Sequence, residues 1–130
     1  MTESGSRPDR TGPAWGRGGI YRILAPHSAL AQDTVEAQLA ADGWRVAVLP
    51  EVARTQEFYA AVRAALELPD WTGANLDALW DVLTDLTEPT ALVWRQYATF
   101  AMARPGPWQR ILAVLEERAR QDPPFAVLLT

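Results

Sequence analysis

The chain carries three strand-sized, apolar-rich segments, residues 44–49 (alternating large apolar with other residues), 90–94 and 125–129, and each is separated from the next by enough chain for at least one helix. Strands so far apart cannot close tight hairpins; crossover connections make neighbours parallel and run right-handed. The expected fold class is therefore α/β, a small and mostly parallel sheet of three to four strands packed with helices. A fourth strand is expected from Ile20-Tyr21-Arg22-Ile23-Leu24, followed by a helix over 33–41 with Val35 and Leu39 four apart and Gly43 as its stop.

Three further helices are predicted. Thr55 is a suitable N-cap for 56–66, where Phe58, Val62, Ala65 and Leu66 share a face. Asn75 is a suitable N-cap for 76–86, with Leu76, Leu79, Trp80, Leu83 and Leu86 forming one apolar stripe. Gly106-Pro107 opens a helix through Arg120, with Trp108, Ile111, Leu112 and Leu115 facing inward. Residues 1–19 are rich in Gly, Pro and charge and are expected to be a disordered arm. The domain organisation expected is that arm, an added strand and helix over 20–43, and a core over 44–130.

Composition closes off much chemistry. Zero cysteines exclude disulfides, thiolate zinc sites and cysteine nucleophiles, and the single histidine, His27, excludes paired-imidazole metal sites. His27 itself reads as a surface loop residue. With 12 basic residues, all arginine, against 16 acids, the net charge is -4, so direct nucleic-acid binding is not expected. The opening MTESGSRPDR has no cationic-then-apolar leader and no apolar run is long enough for a membrane span, which makes a cytoplasmic protein without membrane contact the expectation.

The negative charge is concentrated. No basic residue lies between Arg63 and Arg95, yet that segment holds Glu67, Asp70, Asp77, Asp81, Asp85 and Glu88. On the predicted helix, Asp77, Asp81 and Asp85 repeat every four residues and share a face. Each such like-charge pair costs roughly 0.2–0.5 kcal/mol, and only Asp77, in the first turn, gains from the helix dipole. A solvated helix face is the plain interpretation, but solvated faces normally interleave cations. A divalent-metal site would need oxygens that one straight helix cannot converge, and a carboxylate-pair hydrolase would need two acids in different environments. A surface complementary to a cationic partner fits best. Trp71 and Gly73 beside the helix suit such an interface, although Trp71 could equally staple the helix and Gly73 could equally serve a positive-φ turn. Trp80, Trp94 and Trp108 are expected in the core.

The run Leu68-Pro69-Asp70-Trp71-Thr72-Gly73-Ala74-Asn75-Leu76-Asp77-Ala78-Leu79-Trp80-Asp81-Val82-Leu83-Thr84 resembles the signature helix of the barstar family, intracellular inhibitors of the ribonuclease barnase. Leu92-Val93-Trp94-Arg95-Gln96-Tyr97, residues 111–120 and residues 125–130 extend the resemblance, which covers about residues 44 to 130. It implies no enzyme and no cofactor or metal, but a one-to-one inhibitor of a small cationic ribonuclease. It places Asp81 as the central anchor in the nuclease's phosphate site, with Asp77 beside it and Trp71 over its catalytic residues. It also places Thr72, Gly73, Asn75, Leu76, Trp80, Thr84 and Asp85 on contact positions, with Glu117 as a peripheral acid. Thr72, Ala74, Asp85 and Leu86 depart from the family pattern, which bears on partner identity. An immunity protein against a toxin other than a ribonuclease, and a carboxylate-dependent metal enzyme, are the alternatives.

Overall fold

A computed structural model describes residues 18–22 and 29–130 of the 130-residue chain. The elements are β1 (Gly19–Arg22), α1 (Ala29–Ala41), β2 (Arg45–Leu49), α2 (Thr55–Ala65), α3 (Leu76–Thr84), β3 (Thr90–Trp94), α4 (Tyr97–Ala103), α5 (Pro105–Ala119) and β4 (Phe125–Leu129). The strands form one sheet in the order β1-β4-β3-β2, and every neighbouring pair is parallel. The α/β fold with a parallel sheet expected from strand spacing is what the chain adopts.

Alternation along the strands divides the sheet into two faces. Ala47, Leu49, Leu92, Trp94, Phe125, Val127 and Leu129 belong to the larger core, with Phe58 and Val62 of α2, Leu79 and Leu83 of α3, Phe100 of α4, and Ile111 and Leu115 of α5. The opposite face, with Ala91, Val93, Ala126 and Leu128, packs under Leu39 of α1 and Trp44. β3 and β4 are buried along their whole length, which is why both read as unbroken apolar runs. Trp94 is the centre of the larger core. Its ring stacks on Phe58 at 4.8 Å and lies 5.6 Å from Phe100 and 5.4 Å from Trp108. Aromatic pairs at such separations add roughly 0.5–1.5 kcal/mol beyond their area burial.

Several expectations need correction. Gly18 and Gly19 are not part of a loose arm: Gly19 opens β1 and pairs with Ala126. A Cβ on Gly18 would stand 2.7 Å from the Ala119 carbonyl oxygen, so only glycine lets the backbone pass there. Thr55 is the first residue of α2 and not its cap. The N-cap position is Arg54, and the Glu57 carboxylate reaches back to accept from the backbone N–H groups of Ala53 and Arg54 at 3.0 and 3.1 Å. α3 ends at Thr84, and Leu86 is buried just beyond it. α5 begins one residue before Gly106, at Pro105. α4 was not anticipated. It starts after Gln96, whose φ is +53°, with no side-chain cap to announce it. The expectations for residues 1–17, Ile23, Leu24 and His27 lie outside the described residues.

Candidate functional site

α3 positions the acidic face. The Asn75 side chain accepts from the Ala78 N–H at 2.8 Å and so starts the helix where the sequence places its cap. Leu79 and Leu83 are buried against the sheet and α5, which turns Asp77, Asp81 and Thr84 to solvent. Asp85, the C-cap residue, is also exposed. The Thr84 hydroxyl donates to the carbonyls of Trp80 and Asp81, both at 3.0 Å, and helps close the last turn. A buried guanidinium completes it: Arg118 Nε of α5 donates to the Leu83 carbonyl at 2.7 Å and Nη1 to that of Gln121 at 3.2 Å. Burial pushes the Arg118 guanidinium below its ordinary pKa, opposed by the nearby Asp122 carboxylate.

The loop before α3 is held by its backbone. Leu68 N–H donates to the Arg63 carbonyl at 2.8 Å, Thr72 N–H to that of Pro69 at 3.0 Å, and the Arg63 side chain to the Thr72 carbonyl at 3.3 Å. With the loop anchored in this way, Trp71 is left 85 % exposed at the groove edge. The staple interpretation of Trp71 therefore fails. Gly73 has no positive φ; its hydrogen matters because a Cβ would lie 3.1 Å from that of Ala78, so glycine allows the loop to close on the helix.

The expected site residues do not all meet in one patch. Trp71, Thr72, Gly73, Asp81 and Asp85 border one groove of about 460 Å³ between the loop and α3. Leu76, Asp77, Trp80 and Glu117 border a shallower depression of about 320 Å³ between α3 and α5. Asn75 is occupied as a cap and Thr84 as a helix closer. Trp80 is half-buried rather than a core residue, while Trp94 is fully buried and Trp108 half-buried against it. Glu117 is exposed and ion-paired to Arg120 at 2.8 Å.

Folding also brings in cations that the local sequence lacks. Arg45 of β2 lines the groove beside Asp81 and Asp85, and its Nη2 donates to the Leu66 carbonyl at 2.8 Å. Among the described residues, however, no arginine forms an ion pair with Asp77, Asp81 or Asp85, and all three stand uncovered. Among the described residues no three acidic or imidazole side chains group to hold a metal ion. Sequence reasoning missed Arg118, although its spacing from Ile111 and Leu115 continues the inward stripe of α5. An arrangement of uncovered carboxylates, an unattached indole and a closely packed loop can form charge-assisted hydrogen bonds and flat apolar contact with another macromolecule. A family model described as Barstar (barnase inhibitor) matches residues 44–130.

Proposed function

We propose that this chain, which belongs to the barstar family, binds a small cationic ribonuclease one-to-one and blocks its active site. The observation that carries the proposal is that Asp77, Asp81, Asp85 and Trp71 are all exposed, with the three carboxylates free of ion pairs among the described residues. Uncompensated like charges on one helix cost stability, and a partner that supplies the missing cations recovers that cost on binding.

In this mechanism Asp81, midway along α3 and on the groove wall, is the central anchor and takes a charge-assisted hydrogen bond from a partner Arg, Lys or His. Asp77 takes a second, one helical turn away. Trp71 lays its indole into the pocket that would hold a substrate base, and Thr72 and Gly73 follow it as the loop edge. Asp85 adds a further carboxylate at the end of α3. Leu76, Trp80 and Thr84 form the surrounding contact that excludes water. Glu117 contributes at the rim, where its pair with Arg120 already occupies it; exposed pairs of this kind are worth about 0–1 kcal/mol. No covalent chemistry is needed. The inhibitor acts in the cytoplasm of the cell that makes the nuclease, and no described helix is long and apolar enough to cross a membrane.

The test is inhibition of a panel of small microbial ribonucleases by the full chain at low and high ionic strength. Stoichiometric inhibition of at least one, with association slowed by salt, is expected. Failure against the whole panel, or inhibition indifferent to Asp81→Ala, overturns the proposal.

A further inference from the structure

A second groove, of about 480 Å³, opens where the first turns of α2, α3 and α5 come together. Its lining includes Thr55, Tyr59, Asn75, Asp77, Pro107 and Arg110. Tyr59 is only 8 % exposed, yet its phenol reaches the groove, and its hydroxyl has no hydrogen-bond partner among the described residues. Tyr59 and Arg110 line the same groove; burial raises the phenol pKa and the Arg110 charge opposes the rise. Arg110 is exposed, and no side chain among the described residues pairs with it. Its guanidinium lies back over Gly106, within 3.7 Å of where a Cβ would stand.

Apart from the Asp77 carboxylate, the groups that face the groove here are donors. A guanidinium offers donors only, the Leu76 and Asp77 amides at the start of α3 are donors without intrahelical acceptors, and the phenol hydroxyl, open to the groove, meets no protein acceptor among the described residues. Helix N-termini add partial positive charge at the same place. The opposing group is the Asp77 carboxylate, which lines the groove and turns outward to solvent. An incoming group that satisfies Tyr59 and Arg110 together must present two acceptor atoms, and among protein side chains a carboxylate does so with charge complementarity.

We propose that this groove is a carboxylate subsite, in which Tyr59 and Arg110 bind an Asp or Glu side chain of the protein partner. That the carboxylate arrives on a protein rests on the inhibitor reading above. The binding face is then bipolar, with the cation-seeking aspartates of α3 flanked by an anion-seeking groove that shares Asn75, Leu76 and Asp77 with it. A partner must carry an acid beside its cationic crevice, which selects among nucleases that all present similar positive charge.

The experiment titrates full-length, isotope-labelled protein with sodium acetate, with sodium chloride at matched ionic strength as reference and inorganic phosphate as a parallel arm, read by nitrogen–proton correlation spectra. Saturable shifts of the Arg110 Nε–H and of the Leu76 and Asp77 amides with acetate are expected, the amide shifts lost in Arg110→Gln and both sets lost in Tyr59→Phe. Acetate behaving like chloride, shifts that survive both substitutions, or saturation by phosphate without acetate would each overturn the subsite. Against any ribonuclease that the wild type inhibits, Arg110→Gln should raise Kd by about tenfold, and an unchanged Kd would remove the partner carboxylate from the groove. Failure of inhibition across all nucleases would strike the inhibitor reading, while the acetate titration would still decide the groove.

Discussion

Replacing Arg118 with methionine should destabilise the protein by about 2 kcal/mol. The side chain is 1 % exposed, and its guanidinium joins α5 to the end of α3 and to the turn after α5. A hydrogen bond to a charged donor is worth about 1.5–3 kcal/mol net, and the 2.7 Å bond to the Leu83 carbonyl is of that kind. The 3.2 Å bond to Gln121 is only partly buried and adds less. The guanidinium also lies 5.6 Å from the centre of the Phe125 ring, a distance at which cation–π attraction adds about 0.5–1 kcal/mol. Against these stands the desolvation of a buried cation, which methionine, of similar length, does not incur. The Leu83 carbonyl keeps one weak partner, the Leu86 N–H at 3.3 Å, so it is not wholly orphaned in the variant. The balance is a loss of about 2 kcal/mol, or a fall in Tm of roughly 10 °C for a domain of this size. Urea unfolding followed by tryptophan fluorescence measures it, with an unchanged m-value showing that the unfolded state is not responsible. Arg118→Lys should lose nearly as much, because a single ammonium cannot serve both carbonyls in their fixed geometry. A methionine variant as stable as the wild type, or more so, would refute the reasoning by showing that desolvation cancels the hydrogen bonds.

Asn75→Ala removes the α3 cap and should cost about 1 kcal/mol in urea unfolding, with faster hydrogen exchange confined to the first turn of that helix. Gly73→Ala forces a Cβ to 3.1 Å from that of Ala78 and should cost about 1 kcal/mol or more by overpacking, with the displaced loop visible as a changed Trp71 fluorescence environment. Glu57 has its pKa lowered, first by the Ala53 N–H and then by that of Arg54. Its contribution is therefore full above the unfolded carboxylate value of 4.5 and is lost as pH falls through the lower folded value. Glu57→Gln should flatten that acid limb of stability, and a pH series of thermal melts with an unchanged limb would contradict the assignment.

The parts of the fold that were legible in the sequence are those decided by neighbours along the chain. Asn75 caps α3 because its side chain needs only the amide three residues on, and the leucine stripe that follows has a single helical solution. β3 and β4 are apolar without interruption because both of their faces are covered, which the sequence displays directly. α4 was illegible because it is seven residues long and entered through a left-handed Gln96, with no cap or long stripe to mark it. Gly18 and Gly19 looked like linker residues because glycine in a flexible arm and glycine at a close backbone approach have the same local signature. The site divides in the same way. The spacing of Asp77, Asp81 and Asp85 shows that they lie on one helix, but only the folded chain shows Asp81 and Asp85 on one groove and Asp77 on another. Arg45 and Arg110 reach the grooves from β2 and α5, and their arrival depends on tertiary packing rather than on any local pattern.

Affinity of the full chain for a ribonuclease that it inhibits, compared with that of Asp81→Ala and Glu117→Ala over a range of salt, addresses the binding mechanism most directly. Loss of the Asp81 carboxylate should weaken binding by about 2–4 kcal/mol or more, because partner cations are left buried and unpaired, a range drawn in part from the barnase–barstar pair and carried over by family likeness. Loss of Glu117 should cost less and act mainly on the association rate and its salt dependence. Equal and small effects from the two substitutions would contradict the account.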